Sequence, residues 1–187
     1  MASDSGTMMR ENIVDSLESM KKFDYSQDWQ HINFRVSREK YQIGKGEQGV
    51  LLVEPYKSEI LPYWRFRTPE IAKKSAQKIY ELFLEYKRSA DFVGMDMARK
   101  FLQMGYTRSR RYANHPSGKK YASNPQKESD PRKRKQALKK VLPQAEDWKT
   151  SPKAVSAKLF YERYLLAKND PVYQNLKETH VRFQKKI

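Results

Sequence analysis

The chain has 187 residues, no cysteine, and 38 Lys and Arg against 22 Asp and Glu, for a formal net charge of +16. That length suits one folded body with tails rather than two large domains. The missing cysteines exclude disulfides and thiolate metal sites, which fits a reducing, intracellular setting; with no secretory signal at the start and no apolar run of about 18 residues, neither export nor a membrane partner is expected.

Residues 1–22 mix Ser, Asp and Glu and read as a flexible N-terminal segment. From Phe23 to Phe34 aromatic and polar residues mix without a clean period, which predicts an irregular stretch pinned by its rings. The glycines of Gly44-Lys45-Gly46-Glu47-Gln48-Gly49 predict a turn into an apolar strand, Val50-Leu51-Leu52-Val53-Glu54, ended by Pro55. The apolar stretch 60–66 would pair with it antiparallel, Pro62 keeping it at the edge. The expected fold class is therefore α+β: a small antiparallel sheet packed on two central helices, plus a C-terminal helical hairpin.

Those two helices are marked by punctuation. Thr68, Pro69 and Glu70 supply a cap, a first-turn proline and a dipole partner for a helix over residues 69–87. A second over residues 91–104 carries Phe92, Met95, Ala98 and Leu102 on one stripe and is expected to stop before Gly105. Ser151-Pro152 and Asp170-Pro171 open the hairpin helices, 152–168 and 171–185. Residues 23–115 thus form the core, 116–150 a disordered basic linker rich in Lys, Ser and Pro, and 151–187 the docked hairpin.

The charge is concentrated. Residues 97–140 hold 14 Lys and Arg against Glu128 and Asp130, a net of +12, and leave +4 for the rest of the chain. Gathered cations can neutralise several phosphates and release their counterions, so nucleic acid, DNA or RNA, is the expected partner. Arg99, Lys100, Arg108, Arg110 and Arg111 would make oriented phosphate contacts, Tyr106 and Tyr112 would stack on unpaired bases, and Lys119, Lys120, Arg132, Lys133, Arg134 and Lys135 would add non-specific attraction. The two lysine-rich clusters also have the layout of a bipartite nuclear-import signal, with Pro131 keeping the second extended, so an import receptor is a further expected partner and the nucleus the location in a eukaryote, the cytoplasm otherwise.

An alternative is a small enzyme or a nucleotide- or phosphate-binding protein. Gly44, Gly46 and Gly49 satisfy G-x-G-x-x-G, in which bare backbone amides approach phosphate oxygens. With Lys45, Lys57, Arg111, Asn114 and His115 they would line one pocket. An ordinary glycine turn explains the same residues. The histidines His31, His115 and His180 show no paired spacing, so no metal or other cofactor is expected, and no nucleophile elbow or catalytic residue can be named.

The strings Gly46-Glu47-Gln48-Gly49-Val50-Leu51-Leu52-Val53-Glu54-Pro55-Tyr56-Lys57-Ser58, Trp64-Arg65-Phe66 and Met97-Ala98-Arg99-Lys100-Phe101-Leu102-Gln103-Met104-Gly105, with Arg111-Tyr112-Ala113-Asn114-His115, resemble a small family filed as a domain of unknown function. The resemblance runs from about residue 23 to 121 and resumes in the C-terminal helices. It implies a boundary for the folded unit and brings no established activity.

Overall fold

The computed structural model describes residues 23–186, which are helical with no sheet. Six α-helices lie in the order α1 (Tyr56–Ile60), α2 (Pro69–Arg88), α3 (Phe92–Asn114), α4 (Pro131–Lys139), α5 (Pro152–Lys168) and α6 (Pro171–Gln184). The α+β expectation is therefore overturned. Residues 50–52 turn instead of extending, with Leu52 N–H donating to Gly49 O at 2.9 Å and Lys57 N–H to Val53 O at 2.9 Å. The expected partner strand is occupied by the end of α1 and a 3-10 turn, Leu61–Tyr63, with Pro62 in its first turn. Local backbone bonds use the groups that a ladder would need, while Val50 and Val53 are buried against the helices.

Four of the helices start as their side chains dictate. Thr68 Oγ1 accepts the Ile71 N–H at 3.3 Å, Asp91 Oδ1 accepts Gly94 N–H at 3.2 Å, Ser151 Oγ accepts Ala154 N–H at 3.3 Å, and Asp170 Oδ1 accepts Val172 N–H at 3.0 Å. Each satisfies a donor the first turn would leave orphaned.

The core is built around α3, which α1, α2, α5 and α6 all touch. Every residue from Phe92 to Leu102 is buried, so this helix has no solvent face in its first half. Phe83 from α2, Phe101 from α3 and Phe160 from α5 are wholly enclosed, each burial favouring the fold by about 1.5–3 kcal/mol. Helix α3 also runs ten residues beyond its expected end at Met104, to Asn114. Gly105 does not stop it; the glycine leaves room for the Phe160 ring, so α5 can lie close. The C-terminal pair consequently packs on the core more than on itself, α5 against α2 and α3.

Before α1, the chain wraps the core with a run of rings, Phe23 stacked on Trp29 at 4.9 Å, Trp29 on Phe34 at 5.3 Å, and Phe34 edge-on to Tyr41 at 6.2 Å between centroids. Residues 116–150, expected as a tether, carry a 3-10 turn (Pro125–Lys127), helix α4 and an antiparallel bridge between Tyr121 and Val141. Ala122 N–H donates to Lys140 O at 3.0 Å and Leu142 N–H to Lys120 O at 2.8 Å, closing residues 121–141 into a basic arm. Pro131 begins α4 behind the Asp130 cap and does not prolong an extended chain.

Candidate nucleic-acid interface

The cations predicted on α3 divide into two groups. Arg99 and Lys100 are buried and face inward to Asp96, whose carboxylate is wholly enclosed. Arg99 Nη2 lies 2.8 Å and Lys100 Nζ 3.6 Å from it, Tyr173 donates its hydroxyl at 2.7 Å, and Tyr41 donates a second. Burial alone pushes the Asp96 carboxyl up, but Arg99, Lys100 and the two hydroxyls hold it well below the ordinary carboxylate range. Lys100 also donates to the Gln48 carbonyl at 2.8 Å. These two cations are engaged inside the fold and are not a phosphate surface.

Beyond the core the same helix emerges into solvent. Arg108, Arg111 and Tyr112 are exposed, and neither arginine is ion-paired among the described residues. Arg110 is half-buried, donating to Trp148 O at 3.1 Å and Asn114 Oδ1 at 2.8 Å. Tyr106 is half-buried with its ring 4.7 Å from that of Tyr161. At the base of the arm Lys119 and Lys120, and within it Arg132, Lys133, Arg134 and Lys135, are all exposed. Helix α4 buries only Ala137.

The pocket expected around the glycine turn does not form. Its Gln48 carbonyl points at Lys100, Lys45 N–H bonds to Gln48 Oε1 at 2.9 Å, and Glu47 accepts the Thr107 hydroxyl, so the turn clasps α3 and offers no cradle of amides. Asn114 is held by Arg110 and by Ala145 N–H at 2.9 Å, and buried His115 donates from Nδ1 to Pro143 O at 3.2 Å. Lys57 pairs with Glu54 and faces a different space altogether.

That space is an open cleft of about 1000 Å³, between α1, the extended segment after it, the end of α3 and the start of α5. Three rings line it: Trp64 and Phe66, 5.0 Å apart, and Tyr112, 6.2 Å from Phe66. Four cations line it as well, Lys57, Arg65, Arg67 and Lys153, with no carboxylate. Lys153 Nζ donates to Phe66 O and Arg67 O, each at 2.9 Å, and sits 5.2 Å from the Phe66 ring centroid. Burial pushes the Lys153 ammonium down, and neighbouring Arg67 adds to this. The Trp64 indole N–H is buried without a partner among the described residues.

Of the cleft residues, the sequence marks Lys57 and Tyr112, in different roles, and does not mark Trp64, Arg65, Phe66, Arg67 or Lys153 as a site. The alternation of ring and guanidinium over residues 64–67 is the signal that could have found it. Gly118, just before the arm, packs on the cleft residue Tyr112: a Cβ there would stand 2.8 Å from the ring.

Fold and surface together define an all-helical protein with a polar buried centre, a basic arm and an aromatic, cation-rimmed cleft. The chain belongs to the family described as a domain of unknown function, DUF4385, whose model matches residues 24–183. No curated protein and no solved structure matches it. Among the described residues, no helix is long and apolar enough to cross a membrane, and no three His, Asp or Glu side chains gather as a metal site would need.

Proposed function

We propose that this protein binds nucleic acid, with phosphates resting on the arm and on the emergent end of α3. One observation carries the reading: Arg108, Arg111, Arg132, Lys133, Arg134 and Lys135 are exposed, and none meets a carboxylate within ion-pair distance among the described residues. Arg134 donates to the Glu128 carbonyl, but exposed cations with no carboxylate to neutralise them remain able to displace phosphate counterions, which gives attraction without base reading.

Fluorescence anisotropy with labelled single strands and duplexes of DNA and RNA over a salt series tests it. Affinity should fall steeply with salt, and replacing Arg132, Lys133, Arg134 and Lys135 by Ala should flatten the duplex slope by about 0.9 for each phosphate no longer neutralised. Absence of binding in dilute buffer would refute the reading. The same exposed clusters, Lys119-Lys120 and 132–135, are what an import receptor would grasp, although α4 would first have to open for the second to lie extended.

A further inference from the structure

The cleft has a composition that bulk attraction to polyanions does not call for. Phosphate binding needs cations, yet here four cations surround three aromatic rings. We infer that this cleft receives one unpaired nucleotide, its base against Trp64, Phe66 and Tyr112 and its phosphate between Arg67 and Lys153. The inference rests on the nucleic-acid reading of the arm and adds the form of the ligand.

Three features lead to this occupant. A base exposes its π-face only when it is not stacked in a duplex, and a ring wall attracts that face whatever the sequence. Arg67 stands near enough to Lys153 to disfavour its charge; an anion between the two would turn that repulsion into attraction. Gly118 packs against the Tyr112 ring, so the basic stretch that starts at Lys119 begins beside the cleft wall.

The test compares single strands of about 10 nucleotides with a duplex of the same length, using wild type, Arg67→Ala, Tyr112→Ala and the four-alanine arm variant. Both cleft residues are exposed, and thermal melting checks that each variant is folded. In parallel, uridine monophosphate is titrated while the indole N–H resonance of Trp64 is followed by NMR, assigned with Trp64→Phe. The expected result is a loss of about tenfold in single-strand affinity for each cleft variant, within the range of one stacked base. Duplex affinity should stay unchanged in the cleft variants, whereas the arm variant weakens both.

Cleft variants that hold single strands as tightly as wild type would overturn the inference and leave the arm reading standing. If wild type ignores both strand forms but the mononucleotide moves the Trp64 resonance and Arg67→Ala abolishes the shift, the arm reading falls and the cleft is a site for free nucleotide. A Trp64 resonance unmoved by mononucleotide, together with no single-strand preference in wild type, sinks the cleft proposal.

Discussion

Gly105 of α3 and Phe160 of α5 meet so closely that a Cβ on the glycine would stand 2.3 Å from the ring's Cδ1. This approach fixes how deeply α5 can settle on the core, and with it the position of Lys153 at the mouth of the cleft. Gly105→Ala is expected to destabilise the protein even though alanine favours a helix by about 1 kcal/mol over glycine, because overpacking costs about 1–3 kcal/mol and more where a whole ring must move. Adding Phe160→Leu should recover part of the loss. Denaturant melts of the two single variants and the double would show a favourable coupling, and additive losses would contradict the close approach.

Asp96 is the only carboxylate balancing Arg99 and Lys100 in the core among the described residues. Asp96→Asn should cost about 3–5 kcal/mol, the effect of stranding a buried charge. Because the folded carboxyl titrates below its unfolded value of about 3.9, its stabilising contribution is complete above that pH. It fades as pH falls toward the lower folded value. The stability of wild type should therefore drop below about pH 4, with a flatter acid limb in the variant; unfolding curves across that range check it.

The arginines of α3 should separate by assay. Arg99→Ala should lower the melting temperature through Asp96, leaving that carboxylate with one fewer partner. Arg108→Ala and Arg111→Ala, at exposed positions, should change stability by no more than about 0.5 kcal/mol while lowering affinity for oligonucleotides. Equal effects in the melting assay would contradict the division between inward and outward cations.

Asp170 performs two tasks, capping α6 at Val172 and Tyr173 and pairing with Lys87 Nζ at 2.6 Å. Asp170→Asn keeps a capping oxygen and loses only the ion pair, a loss of about 0–1 kcal/mol. Asp170→Ala loses both, about 1–2 kcal/mol more. The ranking of the two variants in thermal melts checks the assignment.

The long helices were legible because their signals are local. Thr68-Pro69, Ser151-Pro152 and Asp170-Pro171 state a cap and a first turn within two residues, and α2, α5 and α6 begin at those prolines. Gly105 misled because its meaning is set by a ring 55 residues further along the chain. The apolar run at Val50 misled differently: four apolar residues predict burial, which Val50 and Val53 achieve, but do not say whether the backbone reaches it extended or turned.

Within the site, the spacing of Asp96 with Arg99 and Lys100, three and four residues on, was a readable sign that those cations were paired. Tyr41 and Tyr173 were not, since they arrive from 55 and 77 residues away. The cleft was hidden only in part by distance: most of its lining falls within residues 57–67, and Tyr112 and Lys153 alone arrive from remote parts of the chain.

Helix α3, with 23 residues, is a rod about 34 Å long at about 1.5 Å per residue. One half is locked in the interior and the other ends at the Tyr112 wall. A nucleotide arriving there would meet a surface that is already in place, so little ordering would be needed and the dock would behave as a rigid one. The buried anchor of that rod, Asp96 with its four partners, sits about 24 Å back along the same helix.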